Sequence, residues 1–80
     1  MENIRPLSEI AADIRKDWKK VSPFAEPYLK AMSTLNTIQD YYDCDSGEEI
    51  VLRFLSNSTG WRGEVARRIK AELKTMCNIK

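Results

Sequence analysis

The residues best suited to binding chemistry lie in the stretch 58–74, which combines glycines, a Trp-Arg pair and a cluster of cations. On a helical wheel, Arg67, Lys70 and Lys74 share the face opposite Trp61. Cations at this spacing can contact the phosphates of a nucleic acid. The same pattern is also typical of the solvated side of an amphipathic helix. We therefore treat these cations as a possible binding face and favour a solvated surface.

A helix-turn-helix is one way to present that face to DNA, with residues 48–57 as the first helix and 61–77 as the recognition helix. The turn between them is longer than the motif usually allows, and the early turns of the second helix lack the Asn or Gln that reads bases. The formal net charge of +1 provides no general attraction to nucleic acid. A DNA- or RNA-binding regulator that uses the last helix is therefore the alternative function.

Arg62 is the cation that fits a solvated face least. In a helix that begins near residue 60, its wheel position falls between Ile69 and Leu73, on the apolar side. An unpaired buried charge is very costly. The side chain must therefore project past the helix end into water or pair with a carboxylate of the acidic turn at 40–49. We predict the structural ion pair.

The residue types that catalysis and metal binding require are sparse. The chain has no histidine, and its two cysteines, Cys44 and Cys77, are far apart and expected to be free thiols. No nucleophile has an evident base, oxyanion loop or carboxylate pair beside it. Asp43 and Asp45 have the spacing of two calcium ligands, but the later positions of a calcium loop do not match. We expect the protein not to be an enzyme and to use no cofactor or metal.

Helices must position these side chains, because apolar residues recur at three- and four-residue spacing and no window alternates as a strand would. The predicted helices lie near residues 7–20, 26–38, 46–57 and 60–77. Pro23 and Pro27 are tolerable only in an opening turn, so the second helix begins late. The spacing from Asp45 to Glu48 is that of a capping box at the start of the third helix. The sequence thus predicts an all-α fold, a small four-helix bundle that forms a single helical domain over residues 1–80.

A chain of 80 residues often gains buried surface from a partner subunit. Leu29 and Leu52 lie off the apolar stripes of their helices, so they are buried centrally or form a patch that would permit a homodimer. We favour central burial.

No run approaches the roughly twenty apolar residues of a membrane span, and the N-terminus lacks the layout of a signal peptide. We therefore expect a cytoplasmic protein that does not associate with membranes.

Three strings of the sequence resemble a family of short, uncharacterised helical proteins found on mobile elements of Gram-positive and gut bacteria. The strings are PLSEIAADIRKDWKKV, AEPYLKAM and IVLRFLSNSTGWRGEVARRIKAELK. The resemblance covers about residues 5–76 and implies no catalytic residues. Our first hypothesis is a small cytosolic protein-interaction or accessory module, encoded by a mobile element, whose partner is an unidentified protein.

Overall fold

The computed structural model of the protein describes residues 5–77 and contains four helices and a short β-hairpin. The elements in chain order are α1 (Leu7–Asp17), α2 (Glu26–Met32), β1 (Tyr41–Tyr42), β2 (Asp45–Ser46), α3 (Gly47–Ser56) and α4 (Glu64–Met76). The strands are antiparallel, with Tyr41 opposite Ser46 and Tyr42 opposite Asp45. The protein is mostly helical, as predicted, but the hairpin corrects the expectation of a purely α-helical bundle. Two-residue strands are too short to leave a period-two pattern in the sequence.

The helices are shorter than predicted, and α2 differs most. It ends at Met32, whereas the apolar spacing predicted a helix to residue 38. The hydroxyl groups of Ser33 and Thr34 donate to the carbonyl oxygens of Leu29 and Ala31, at 3.0 and 2.8 Å. Serine and threonine bonds of this kind compete with helix continuation. The apolar residues that follow are therefore held by a turn instead of a further helical turn.

The start of α4 is also displaced from its predicted position near residue 60. Gly63 has φ 114° and ψ −180°, and it is the N-cap of a helix that begins at Glu64. This region of backbone space is open to glycine and closed to nearly all other residues. Residues 57–63 are consequently a loop, and Trp61 and Arg62 belong to that loop.

Residues 35–40, here called the capping segment, join the beginnings of α1 and α3. Its carbonyl groups accept hydrogen bonds of 2.7–3.0 Å from the first N–H groups of both helices: Leu7 N to Asn36 O, Ser8 N to Leu35 O, Gly47 N to Asp40 O and Glu48 N to Ile38 O. Helix starts leave such N–H groups unpaired unless another group accepts from them. The backbone carbonyl groups of the capping segment thus accept the hydrogen bonds that capping side chains usually accept, and they do so at the starts of both α1 and α3.

The start of α3 differs in one further detail from the predicted capping box. Ser46 is the N-cap, and its hydroxyl oxygen accepts from the backbone N–H of Glu49 at 3.2 Å. The cap therefore lies one residue later than Asp45, the position expected from the sequence. Gly47 follows at the first helical position and is buried against the capping segment.

The core is a cluster of apolar side chains to which all four helices contribute. The second helix packs against α3 and α1, and α1 also packs against α4. Leu29 is 0% exposed, as central burial predicts, whereas Leu52 is half-buried and packs against the cluster. The apolar patch that would have favoured a homodimer is therefore largely used inside the protein.

An aromatic cluster anchors the loop between α3 and α4 to the core. The rings of Trp18 and Trp61 stack with centroids 5.7 Å apart and an interplanar angle of 6°. Phe54 meets both rings edge-on, with centroid distances of 6.2 and 6.4 Å. Aromatic pairs in these geometries are favourable beyond the area that they bury.

None of the helices in the described range 5–77 combines the length and apolarity that crossing a membrane requires.

Candidate functional site

Trp61 anchors the loop before α4 to the core, and Arg62 is the next residue of that loop. Trp61 is 2% exposed, and its indole N–H donates to the Asp17 carboxylate at 2.8 Å. Its backbone N–H donates to the carbonyl oxygen of Ser58, which is itself buried and donates its hydroxyl to Leu55 O at 2.9 Å. The backbone of Arg62 is therefore held beside an anchored residue, whereas its side chain is exposed to solvent.

Lys70 reaches from α4 to this loop and is half-buried. Its ammonium group donates to the carbonyl oxygens of Ser58 and Trp61, both at 2.7 Å, and lies 5.7 Å from the centroid of the Trp61 ring. Both acceptors are neutral, so the ammonium charge has no counter-ion there. Burial lowers the pKa of Lys70, and the nearby charges of Lys74 and Arg62 lower it further.

A surface depression of about 340 Å³ lies beside this ammonium group. Its lining consists of Trp61, Arg62, Gly63, Ala66, Arg67 and Lys70. The lining holds cations but no acidic side chain, and we call it the cationic depression. Lys74 lies one helical turn beyond Lys70 on α4, close enough to affect the pKa of Lys70. The arrangement is chemically suited to an anion.

The three cations predicted as a binding face are thus on one side of α4, but they are not equivalent. Arg67 and Lys74 are exposed, whereas Lys70 is engaged with the carbonyls of the preceding loop. The sequence contained no sign of this engagement, because the acceptors are backbone groups 9 and 12 residues away. The predicted face therefore has two freely exposed cations, Arg67 and Lys74, and Arg62 lies at the same depression as Arg67.

The ion pair predicted for Arg62 is not formed in this structure. Its side chain is exposed, and no carboxylate among residues 5–77 lies within 4 Å of its guanidinium group. The physical reason is the late start of α4. A residue in the loop before the helix has no position on its wheel, so Arg62 is not forced toward the apolar side.

Arg5 forms the largest cluster of ion pairs among residues 5–77, and nothing in the sequence pattern predicted it. Its guanidinium donates to both carboxylate oxygens of Glu72, at 3.0 and 2.8 Å, and also contacts Asp13 and Glu9. The hydrogen bonds to Glu72 and Asp13 raise the pKa of Arg5. This cluster ties the residues before α1 to the middle of α4, across 67 positions of sequence.

A second charged surface is the acidic hairpin, which we define as residues 40–49. It carries Asp40, Asp43, Asp45, Glu48 and Glu49, and neither Lys nor Arg occurs within it. None of the ion pairs formed among residues 5–77 includes any of these carboxylates. Only Asp40 has strong local partners, because it accepts from the backbone N–H groups of Asn36 and Thr37, which lower its pKa.

Exposed aromatic side chains lie beside the acids of the hairpin. Tyr41 is 68% exposed and Tyr42 is 41% exposed, whereas both tryptophans of the chain are buried in the core. Successive residues of a strand point to opposite faces, so the tyrosines present an aromatic ring on each side of the hairpin. The free thiol of Cys44 lies in the exposed turn between the strands.

Comparison with protein-family models, curated proteins and solved structures finds no match to this chain. The resemblance to helical proteins of mobile elements therefore stays a prediction.

Proposed function

We propose that this protein is a small interaction module that binds a basic segment of a partner protein through its acidic hairpin. We further propose that it acts in the cytoplasm, that it has no catalytic role and that it is an accessory factor of a mobile element. The observation that carries the proposal is the combination of exposed Tyr41 with carboxylates that no cation of the described residues neutralises.

The tyrosines supply contact area that suits a cationic partner. Tyrosine is enriched among the residues that dominate binding energy at protein interfaces, because it buries a large rigid surface at low entropic cost. The face of its ring also attracts arginine and lysine. A partner segment that carries both cations and apolar side chains therefore matches Tyr41 and Tyr42 and the acids beside them.

The carboxylates select a partner of positive charge and increase the rate at which it encounters the hairpin. Asp43, Asp45, Glu48 and Glu49 form a local negative field on a chain whose formal net charge is only +1. Opposite charge on a partner accelerates encounter and excludes acidic competitors, and the effect weakens as salt screens it.

The capping segment holds the hairpin in place, which reduces the entropic cost of binding. The N–H groups of Gly47 and Glu48, which follow β2 directly in the chain, donate to Asp40 O and Ile38 O at 2.7 and 2.9 Å. A surface that is already ordered loses less conformational freedom when a partner docks.

A labelled peptide of alternating arginine and leucine tests the proposal, with an acidic peptide of the same length as comparison. We expect fluorescence anisotropy to detect binding of the basic peptide alone, weakening as salt is raised. Tyr41→Ala should weaken binding about thirtyfold, which corresponds to the loss of about 2 kcal/mol at an interface hot spot. Asp43→Asn combined with Asp45→Asn should reduce both the affinity and its salt dependence.

Matched controls keep that experiment specific to the hairpin. Phe24 is 73% exposed but lies outside the hairpin, so Phe24→Ala should leave binding unchanged. Glu64→Gln removes an exposed charge from the first turn of α4 and should also have no effect. Equal binding of basic and acidic peptides, or equal losses from Tyr41→Ala and Phe24→Ala, would contradict the proposal.

A DNA- or RNA-binding regulator is the second candidate function. It is supported by the exposure of Arg67 and Lys74 on one side of α4, with Arg62 nearby. Lys70 contributes less than a free lysine, because its ammonium already donates to two carbonyls. Retention of duplex DNA or single-stranded RNA at low salt, lost steeply as salt rises, would support this candidate. Absence of any retention at low salt would remove it.

A further inference from the structure

We propose that the cationic depression is a binding site for a phosphate group, held by Arg62, Arg67 and the remaining N–H of Lys70. This proposal is independent of the acidic hairpin. The phosphate can belong to a small phosphorylated molecule or to a nucleic-acid backbone, because the two share the chemistry that the depression recognises.

The Lys70 ammonium is held in place by the protein but has a donor left for a ligand. An ammonium group has three N–H donors, and the carbonyls of Ser58 and Trp61 use two of them. The third donor has no protein acceptor among residues 5–77, and no carboxylate there lies within 4 Å of the charge. The ammonium is thus fixed in position while its charge stays unneutralised.

The cations around the depression repel one another in the free protein. Arg62 and Arg67 line the same depression, and Arg62 and Lys74 lie close enough to Lys70 to lower its pKa. Clustered cations without an acid are unfavourable in the free protein. A phosphate would relieve this repulsion, and it would also raise the pKa of Lys70.

The geometry of the donors favours phosphate over a simple halide. A guanidinium group presents N–H donors in a planar fork that matches two oxygens of one phosphate, whereas an ammonium acts as a point charge. The depression offers both kinds of donor. Its volume of about 340 Å³ also lies at the lower end of the range for small-molecule sites.

The backbone around the depression is anchored through Trp61. Trp61 lies at the depression, stacks on Trp18 with centroids 5.7 Å apart and donates its indole N–H to Asp17. This anchoring holds the backbone at Arg62 close to Lys70 without any ligand. Gly63 lines the depression and supplies no side-chain cap to α4, so the positive end of the helix dipole adds to the field.

The experiment is a titration monitored by NMR. The chemical shifts measured are those of the amide groups of Gly63 and Ala66 and of the indole N–H of Trp61. The probes are pyrophosphate, a short DNA duplex and a single-stranded RNA, each at constant ionic strength, with sodium chloride and a dicarboxylate as comparisons. We expect saturable shifts with at least one phosphate probe and none with the comparisons. Saturation by pyrophosphate points to a small phosphorylated ligand, whereas saturation by an oligonucleotide alone points to a nucleic-acid backbone.

Variants with matched charge separate a site from general attraction. Arg62→Gln combined with Arg67→Gln should weaken phosphate binding about tenfold or more, because charge-assisted hydrogen bonds are lost. Lys30→Gln combined with Arg53→Gln removes the same charge from exposed positions of α2 and α3 and should leave binding unchanged. Absence of saturable shifts with all phosphate probes, or equal losses from the two double variants, would overturn the proposal. Binding of the basic peptide by the hairpin should be unchanged in both variants, so the two proposals fail separately.

Discussion

Gly47 lies where the start of α3 meets the capping segment, and its replacement by alanine tests how the acidic hairpin is held. A Cβ atom at this position would lie 2.7 Å from Thr37 O and 2.9 Å from the Cα of Ile38. Both neighbours are backbone atoms, so neither can rotate away as a side chain would. We therefore expect Gly47→Ala to displace the capping segment from α3.

The magnitude follows from opposing contributions. Forcing extra volume into a packed site typically costs about 1–3 kcal/mol. The displacement also weakens the bonds from Gly47 N and Glu48 N, each worth about 0.5–1.5 kcal/mol. Replacing glycine in a helix gains at most about 1 kcal/mol. The net expectation is a loss of about 2 kcal/mol in the free energy of unfolding, or about 10 °C in Tm for a domain of this size.

The assay is urea and thermal unfolding of a series that changes each glycine to alanine. Gly60 has no other atom within 4 Å of an added Cβ, so Gly60→Ala should be neutral or stabilising by up to about 1 kcal/mol. Gly63→Ala meets open space but has φ 114°, so it should cost about 1–3 kcal/mol through the backbone alone. If Gly47→Ala were as stable as Gly60→Ala, the close contact between the capping segment and α3 would be refuted.

Two further predictions concern single ionisable groups. Lys70 should lose its proton at lower pH than the exposed lysines, as measured by carbon-13 resonances of the lysine side chains, and phosphate should reduce the difference. Because the pKa of Lys70 is lower in the folded than in the unfolded chain, its contribution to stability should rise with pH between those two values. The thiol of Cys44 should react rapidly with a disulfide reagent, whereas Cys77 should react only on unfolding, because burial raises its pKa. Equal reactivity of the two thiols in the folded protein would contradict this.

The two charged surfaces explain why the overall charge of the chain is uninformative. A formal net charge of +1 describes the sum, whereas the structure separates acids on the hairpin from cations at the depression. Electrostatic recognition depends on this local separation, since salt largely screens the interaction between exposed charges that are more than about 10 Å apart. Both proposals therefore concern small surfaces and not the charge of the whole molecule.

Much of the helical framework was readable from the sequence. The three- and four-residue apolar spacing that predicted the helices agrees with the buried faces of α1 and α4, which include Leu7, Ile10, Ile14, Ile69 and Leu73. This succeeds because a helix repeats every 3.6 residues, so its apolar stripe is a local property of the chain. The turn region after residue 56 was also readable, since residues that favour turns interrupt the apolar pattern there.

The tertiary structure alone decided which charges are free. Lys70 was predicted on an open face, but its ammonium is held by a loop nine to twelve residues earlier, and Arg62 was predicted in an ion pair but is exposed. The pairing of Arg5 with Glu72 joins positions 67 residues apart. Periodicity specifies the face of a helix on which a residue lies, but the partner on that face comes from a distant part of the chain and depends on how the elements pack. For this protein that distinction separates the predicted helices, which are local, from the partners of Arg5 and Lys70, which depend on tertiary packing.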